Sequence, residues 1–301
     1  MIYEHPLAYL LGVEGAALMR AFTGQFDREF TEARIAEIRR LLDDEALANA
    51  GVNVAQVDPP EGYRIWSQTY DGPNSLFDID EVILGEILDE LPVGVALDAA
   101  CGTGRISALL ADRGHQVRGV DSSPDMLERA RIRVPQGEFQ LGELQALPVP
   151  DEAVDLVACS LALTHTSALQ PAIAEFARVL RPGGHLVISD MHPEGVARGF
   201  VPNVRRADGR PGRIASYRHP IGSYLRAALS AGLELRRCEE PRFPPSENQP
   251  PQEIPSTATA IDVWDVWPWR LTALIPEAAE AAHGDVPTMV IWQFQLPPTN
   301  A

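Results

Sequence analysis

Glycines and two aspartates mark the part of the sequence that is best suited to bind a ligand. In the segment 97–105 the acid Asp98 is followed by Gly102 and Gly104. Glycine lets the backbone approach a ligand closely and adopt conformations that side chains disfavour. A second acid, Asp121, follows Asp98 by 23 residues. An acid at that spacing can accept both ribose hydroxyls of an adenosine. The pattern therefore predicts a site for an adenosine-containing cofactor.

Two classes of cofactor use a turn of this kind. A nicotinamide site uses the spacing Gly-x-Gly-x-x-Gly and places a pyrophosphate at a helix N-terminus. Here the glycine pair continues as Arg105, Ile106 and Ser107, so the third glycine is missing. The carboxylate of Asp98 would repel a pyrophosphate, but it suits the α-ammonium group of an amino-acid cofactor. We therefore expect a cofactor that carries an amino acid.

The surrounding sequence alternates between helical patterns and short apolar runs. Strands are expected at 93–98, 116–120, 138–141, 154–159, 185–189, 233–237 and 288–296, and helices at 80–91, 124–133, 168–180 and 224–231. A further helix follows the glycine turn and ends at Gly114, which is expected as a left-handed cap. Ser123 and Pro124 are a good N-cap and first residue for the helix 124–133. This alternation favours an α/β fold with a parallel, doubly wound sheet.

Four motifs in the correct order resemble those of the class I S-adenosylmethionine-dependent methyltransferases. The segment 97–105 resembles motif I of that family, and the likeness continues through 119–127, 142–151 and 180–186. A lone pair of glycines would be weak support, whereas the combination is specific. The resemblance implies a Rossmann-like doubly wound sheet, mostly parallel with an antiparallel last strand, and S-adenosyl-L-methionine as the cofactor.

The same resemblance implies a role for individual side chains. By position, Asp98, Ala100, Gly102 and Gly104 are expected to line the methionine part of the cofactor. Asp121 is expected to hold the ribose, with Ser122 and Met126 flanking the ribose and the adenine. Glu143 and Leu144 are expected near the adenine amino group, and Ser160 near the sulfonium. Ala100 departs from the pattern, since many members have glycine there. Three alternatives stay open: Asp98 caps the following helix, Glu143 is a solvated loop acid, and Ser160 is an ordinary strand-end residue.

Aromatic residues before the first motif suggest how the site is closed. The stretch 62–71 resembles the segment that these enzymes fold over the cofactor. Within it, Tyr70 is a candidate cofactor-binding residue and Trp66 a second candidate for closing the site. The alternative is that both residues anchor the N-terminal helices.

Two histidines are candidates for a general base. His165 lies five residues after Ser160, and His192 lies two residues after Asp190, so both follow expected strand ends. A base is needed only where the methyl acceptor must lose a proton, as a phenol or a carbon acid must. Histidine suits that role because its pKa lies near neutral pH. The alternative is that both are exposed loop histidines.

Charge and composition argue against several classes of partner. The chain has 301 residues, 42 acids against 25 bases and a formal net charge of −17. Nucleic acids and anionic membranes are disfavoured because binding them depends on Lys and Arg that neutralise phosphates. The apolar stretch 7–22 contains Glu14 and Arg20, so neither a signal peptide nor a membrane span is expected. Three scattered cysteines predict no disulfide framework and no metal site. We expect a cytoplasmic protein.

The domain organisation expected from the sequence has two parts. Residues 1–62 read as a helical cap or oligomerisation arm, with 51–62 as a linker, and this arm would support a homodimer. Residues 63–301 read as the methyltransferase domain, with insertions at 193–216 and 241–287 where small-molecule members build an acceptor pocket. Trp264, Trp267 and Trp269 either line that pocket or form a packing core.

The expected function is methyl transfer to an oxygen, nitrogen or carbon atom of a small molecule, such as a secondary metabolite. One alternative is a protein that binds the cofactor without using its methyl group, as a cyclase, a rearrangement catalyst or a sensor. Another is an interaction protein whose N-terminal helices form the functional surface, which the intact motif I disfavours.

Overall fold

The computed structural model describes residues 2–67, 70–72, 74–206, 208–242 and 271–299. The chain divides into two compact units, each built from three stretches. Unit 1 comprises Met1–Gln56, Arg205–Arg213 and Arg242–Val286, and unit 2 comprises Val57–Val204, Ile214–Pro241 and Pro287–Ala301. Among the described residues, no helix is both long enough and apolar enough to cross a membrane.

Eleven strands are described. They are β1 (Ile2–Glu4), β2 (Val52–Val57), β3 (Val95–Ala99), β4 (Gln116–Asp121), β5 (Glu138–Leu141), β6 (Val154–Ser160), β7 (Leu180–Met191), β8 (Asn203–Arg205), β9 (Pro211–Ile214), β10 (Glu234–Glu239) and β11 (Met289–Gln295).

Eleven α-helices are described beside them. They are α1 (Pro6–Ala21), α2 (Arg28–Leu42), α3 (Glu45–Ala48), α4 (Pro59–Trp66), α5 (Ser75–Asp89), α6 (Arg105–Asp112), α7 (Pro124–Arg133), α8 (Leu169–Val179), α9 (Pro193–Ala197), α10 (Ile221–Ser230) and α11 (Pro276–His283). Short 3-10 helices cover Leu163–His165 and Leu271–Leu274.

A seven-stranded sheet forms the centre of unit 2, with the strand order β10-β11-β7-β6-β3-β4-β5. The five neighbouring strands β7, β6, β3, β4 and β5 are parallel to one another, whereas β11 is antiparallel to both β7 and β10. This order confirms the predicted Rossmann-like sheet, mostly parallel with an antiparallel last strand. Because parallel strands end at the same edge, the segments that follow β3, β4, β6 and β7 meet there.

Helices cover both faces of this sheet because its strands are apolar on both sides. Successive residues of β6 face opposite ways. Val157 belongs to a buried cluster that includes Phe176 of α8, and Leu156 belongs to another that includes Leu84 of α5 and Leu110 of α6. The sheet is therefore doubly wound, as the sequence predicts.

Two local expectations about helix ends in unit 2 are confirmed. The Ser123 side chain accepts a hydrogen bond from the backbone of Met126 at the start of α7, with Pro124 as its first residue. Gly114 follows α6 with a φ of +86°, in the left-handed region. A local hydrogen bond and a local backbone conformation therefore set these ends.

Unit 1 packs its helices around a small apolar core. Leu10 of α1, Leu41 of α2 and Ala278 of α11 belong to it. Beside this core, Arg34 is buried and pairs with Glu14 at 3.3 Å and with Glu277 at 2.6 Å. Buried charges of this kind are retained only where they are paired.

The expectation that residues 1–62 contain helices alone is wrong. β1 pairs antiparallel with β2, so that Ile2 lies opposite Val54, in a second sheet with the order β1-β2-β9-β8. The expected linker 51–62 is β2 followed by α4, which Asp58 caps. β-branched valines at alternate positions favour the strand, and Asp before Pro is a helix start.

The insertion expected at 193–216 is not an irregular segment, because it contains α9, β8 and β9. Trp264, Trp267 and Trp269, with most of the expected insertion at 241–287, lie outside the described residues.

Candidate active site

The turn between β3 and α6 is formed by residues in the left-handed region. Ala100, Gly102 and Gly104 have φ values of +62°, +52° and +84°. A Cβ placed on Gly102 would meet no heavy atom within 4 Å, whereas one on Gly104 would lie 3.0 Å from the Cα of Ala130. Gly102 therefore faces open space, and Gly104 allows α7 to pack closely.

Asp121, at the end of β4, is held by the main chain of this turn. Its Oδ2 accepts a hydrogen bond of 2.8 Å from the Gly102 N–H, and its Oδ1 accepts one of 2.8 Å from the Ser123 N–H. Burial raises the pKa of Asp121, and the two N–H groups act against that rise. A carboxylate oxygen can accept more than one hydrogen bond, so each oxygen can also bind a hydroxyl of a ligand.

The residues predicted to flank the ribose and the adenine follow Asp121 along the chain. Ser122 follows it half-buried, and Met126 is buried in α7. Glu143 is exposed, and its charge is close enough to contribute to the raised pKa of Asp121. Leu144 is partly buried against the core of the sheet. The structure thus brings these residues together around the ends of β4 and β5.

Asp98 makes a different contact from the expected one. Its side chain is buried, and its Oδ2 accepts a hydrogen bond of 2.6 Å from the Ser107 hydroxyl in α6. Burial raises the pKa of Asp98 to about 7, and the bond from Ser107 opposes this rise. The carboxylate therefore ties β3 to α6, in line with the helix-anchoring alternative, and its proposed bond to an ammonium group stays a prediction.

Ser160, at the end of β6, belongs to a buried ionic network. Its hydroxyl donates to Asp80 Oδ2 at 2.7 Å and accepts from Arg105 Nη2 at 2.8 Å. Arg105 also pairs with Asp80 at 2.5 Å and covers the ring of Phe77 at 4.5 Å. Sequence reasoning did not identify Asp80 and Arg105. An acid on the apolar side of a helix, as Asp80 is between Phe77 and Leu84, was the available signal.

Aromatic rings from α4 and the stretch after it pack together before motif I. Tyr63 lies 5.7 Å from Trp66 and 5.9 Å from Tyr70 between ring centroids, and Tyr70 lies 5.2 Å from Phe77. Burial raises the pKa of Tyr70 to about 12. Tyr70 and Trp66 therefore belong to one cluster, which Tyr63 joins.

The stretch that carries Tyr70 is tied to the turn after β3. Asp71 accepts a hydrogen bond of 2.7 Å from the Thr103 hydroxyl and pairs with Arg133 at 2.8 Å. Arg133 donates to Thr103 at 3.1 Å as well. This three-residue contact places the aromatic cluster beside motif I, and its closing over a cofactor stays a prediction.

His165 lies in the 3-10 helix after β6 with both ring nitrogens in contact. Nδ1 is 2.8 Å from the carbonyl oxygen of Ala215, and Nε2 is 2.8 Å from the hydroxyl of Tyr63. A carbonyl only accepts, so Nδ1 carries the hydrogen. Burial lowers the pKa of His165, so the ring is neutral at pH 7 and its Nε2 accepts from Tyr63.

His192 is the N-cap of α9 and is almost fully buried. Its Nδ1 accepts a hydrogen bond of 3.3 Å from the Glu194 N–H, and its Nε2 is 2.8 Å from Glu240 Oε1. Both nitrogens therefore have structural partners, and a base role for His192 would need those contacts to break.

A buried carboxylate that the sequence did not single out lies at the end of β7. Asp190 is fully buried and accepts a hydrogen bond of 2.7 Å from the hydroxyl of Tyr224. Burial raises the pKa of Asp190 to about 7, and the bond from Tyr224 opposes the rise.

The segment that holds most of these residues has a known family. Residues 97–188 match the family described as methyltransferase domain. Over these residues the chain is similar to methyltransferase domains. The four motifs that suggested this similarity all fall within the matched residues.

Curated relatives match only part of this chain, and the match covers only part of each relative. A malonyl-[acyl-carrier protein] O-methyltransferase of Serratia marcescens is 39% identical over 114 residues, 38% of this chain and 44% of that protein. A demethylmenaquinone methyltransferase of Renibacterium salmoninarum is 40% identical over 98 residues, 32% of this chain and 41% of that protein. The chain thus spans less than half the length of these relatives.

A solved structure extends the likeness of the methyltransferase fold over more of the chain. It is described as a complex between the Haloferax volcanii Trm112 methyltransferase activator and the putative methyltransferase. The match has a TM-score of 0.59 and 21% identity, and it covers 80% of this chain and 99% of that one. At 21% identity, this match shows a similar fold alone.

Proposed function

We propose that the protein transfers a methyl group from S-adenosylmethionine to an oxygen, nitrogen or carbon atom of a small molecule. The observation that carries this proposal is the carboxylate of Asp121, oriented by two backbone N–H groups beside the open space at Gly102. A fixed acceptor of hydrogen bonds next to a turn that leaves open space at Gly102 suits a ribose and the chain attached to it.

The residues present fit the cofactor. Asp121 would hold the ribose hydroxyls, and Ser122, Met126, Glu143 and Leu144 would surround the adenine. Ala100, Gly102 and Gly104 shape the turn that the methionine part would approach, and Ser160 and Tyr70 would lie near its sulfonium end. When bound, the cofactor supplies an activated methyl group, and the protein's part is to align the acceptor with it.

The acceptor is proposed to be a small molecule rather than a nucleic acid, because acids exceed bases by 42 to 25. The two relatives described above are named malonyl-[acyl-carrier protein] O-methyltransferase and demethylmenaquinone methyltransferase. The same charge disfavours anionic membrane surfaces. A homodimer through the N-terminal helices stays a proposal, supported by the exposed side chains of Met19 and Phe22 in and after α1.

Calorimetric titration of the full chain tests the cofactor site. We expect micromolar binding of S-adenosylmethionine, roughly −8 kcal/mol, and no competition by NADH. In Asp121→Ala the ribose loses a charge-assisted partner, and such bonds contribute about 1.5–3 kcal/mol, so the dissociation constant should rise about tenfold or more. Asp121→Asn keeps the shape, and Asp125→Ala removes an exposed acid nearby as the control.

Release of S-adenosylhomocysteine with a panel of acceptors then separates methyl transfer from mere binding. Tight NADH binding without S-adenosylmethionine binding would overturn the proposal. An unchanged dissociation constant in Asp121→Ala would mean that the ribose lies elsewhere. Binding without product on any acceptor would favour a cyclase or a sensor on the same fold.

A further inference from the structure

Tyr63, His165 and the carbonyl of Ala215 form a continuous chain of hydrogen bonds. Both links are 2.8 Å long. The three residues come from α4, from the 3-10 helix after β6 and from the segment after β9. Each residue is therefore held by a different segment of unit 2, so the hydrogen bonds form only when all three segments are in place.

For the neutral His165 ring, the donor and the acceptor of each hydrogen bond in this series are determined. The Ala215 carbonyl accepts, so Nδ1 of His165 donates to it. Nε2 then holds only a lone pair, and the hydroxyl of Tyr63 must donate to that lone pair. The Tyr63 oxygen is left with its own lone pairs and no hydrogen to give elsewhere. A molecule that meets Tyr63 can therefore bond to it only by donating an O–H or N–H.

Tyr63 contacts the segment that is proposed to close over the cofactor. It keeps part of its surface exposed, as do Ser160, Tyr70 and His165. Its ring contacts Tyr70, and the carboxylates of Asp121 and Asp190 are close enough to help burial raise its pKa well above the usual value. Tyr63 thus contacts Tyr70 and lies within electrostatic range of the carboxylates at the ends of β4 and β7.

We propose that Tyr63, backed by His165, receives the proton of the methyl acceptor, and that the acceptor presents a hydroxyl or amine rather than a carboxylate. This inference rests on the proposed function and specifies its substrate class. A carboxylate would face the oxygen lone pairs of Tyr63 with no hydrogen between them, which disfavours its binding there.

The step balances as follows in atoms and charge. A lone pair on the acceptor's oxygen or nitrogen forms the bond to the methyl carbon, and the methyl–sulfur bond breaks with its pair kept by sulfur. The O–H or N–H bond of the acceptor breaks with its pair kept by the oxygen or nitrogen. The released proton goes to the Tyr63 oxygen while the proton of Tyr63 moves to Nε2 of His165. Tyr63 is never an anion, and the positive charge lost from sulfur appears on the imidazolium. Water later takes that proton.

Burial of both residues supports this relay over separate ionisation of either one. Burial lowers the pKa of His165 and raises that of Tyr63, so the resting pair is neutral. Tyr70 flanks Tyr63, and the carboxylates that act on it belong to β4 and β7. His165 meets the Ala215 carbonyl and Tyr63. A pair that is neutral at rest is ready to accept a proton across the whole neutral pH range.

NMR of the full chain with ¹⁵N-labelled histidine and S-adenosylhomocysteine tests the pair without any acceptor. The chain has seven histidines, so His165→Gln assigns the signal. Because burial lowers the pKa of His165, we expect a neutral ring with hydrogen on Nδ1 at about pH 7 and above. Tyr63→Phe should shift the His165 Nε2 signal, and Tyr217→Phe, which alters an exposed tyrosine, should leave both His165 signals unchanged. Hydrogen on Nε2, an imidazolium at pH 7 or no response to Tyr63→Phe would overturn the proposal.

Turnover with three matched probes, 1-naphthol, 1-naphthylamine and 1-naphthoate, tests the substrate class. We expect product from naphthol or naphthylamine and none from naphthoate. Tyr63→Phe and His165→Gln should lower kcat by about 10²–10⁴-fold while the dissociation constant of S-adenosylmethionine stays within about twofold. Tyr217→Phe should match the unaltered protein.

Preferential methylation of naphthoate, or near-full kcat in Tyr63→Phe, would overturn the inference. If no probe is methylated, the NMR result alone decides. Failure of the unaltered protein to bind S-adenosylmethionine would instead count against the proposed function.

Discussion

The two halves of the sheet's carboxyl edge are held by different means. After β3 and β4 the geometry comes from the main chain: residues with positive φ form the turn, and backbone N–H groups of Gly102 and Ser123 orient Asp121. After β6 and β7 it comes from pairs of side chains, in which His165 meets Tyr63 and Asp190 meets Tyr224.

The difference teaches what each half can tolerate. A turn built from backbone is insensitive to most side-chain changes but intolerant of a new Cβ. A half built from buried polar pairs depends on each partner, because a buried group left unpaired costs about 1–3 kcal/mol. We call the half after β3 and β4 the cofactor half and the half after β6 and β7 the acceptor half, after their proposed roles. Substitution of a glycine should therefore damage the cofactor half most, and loss of one partner of a buried pair should damage the acceptor half most.

The largest effect is expected where the two halves join. Arg105 starts α6 after the glycine turn and bonds to Ser160 at the end of β6. Arg105→Met would leave Asp80, which is fully buried, without its cation, and breaking such a pair costs about 3–5 kcal/mol. Urea unfolding measures the loss, and adding Asp80→Asn should recover much of it.

The control for Arg105 is Arg113→Met, which breaks the partly exposed pair with Asp89. It should cost about 0–1 kcal/mol, because exposed pairs contribute little. Equal losses in the two variants would mean that burial of the Asp80 pair does not matter.

An intermediate effect is expected in the cofactor half. Gly104→Ala forces a left-handed alanine and puts its Cβ 3.0 Å from the Cα of Ala130, so it should cost about 2–4 kcal/mol. Gly102→Ala meets no neighbour within 4 Å and should cost only about 1–2 kcal/mol, yet weaken cofactor binding more. Chemical unfolding and calorimetry together compare the two. Similar losses of stability would show that α7 yields to the added methyl group.

A gradual effect, up to about 1.4 kcal/mol for each pH unit, is expected as a pH dependence in the acceptor half. Burial raises the pKa of Asp190 to about 7, so between about pH 4 and pH 7 the folded chain holds a proton that the unfolded chain has lost. This contribution to stability is present at low pH and disappears as the pH rises to about 7.

Asp190→Asn removes that dependence. The unaltered protein should lose up to about 1.4 kcal/mol per pH unit more than the variant over this range, measured by urea unfolding at several pH values. Asp98, whose pKa burial also raises to about 7, is present in both proteins and cancels. Parallel stability curves would mean that Asp190 is ionised in the folded state.

What the sequence predicts well is local. The helix 124–133 and the strand 138–141 have the predicted bounds, since caps and apolar runs determine them. β7 is longer than the predicted 185–189 because Leu180 pairs with Val154 across the sheet, a contact between strands that no local pattern reveals.

What the sequence does not predict is which distant side chains pair. Tyr63 and His165 are 102 residues apart, His192 and Glu240 are 48 apart, and Asp190 and Tyr224 are 34 apart. Each partner alone is an unremarkable polar residue, and only folding brings the two together. The histidines were predicted as candidate bases from their place after strand ends, but the partners that define their chemistry were not.

The order of stretches along the chain limits how it can be cut or recombined. β11 follows the last stretch of unit 1, yet it lies between β7 and β10 and contributes Val290, Trp292 and Phe294 to the core of unit 2. A fragment ending near residue 241 would expose that core and leave the facing edges of β7 and β10 without hydrogen-bond partners. Neither unit is therefore a contiguous piece that can be expressed alone. A chimaera that exchanges one unit with a relative needs several crossover points rather than one.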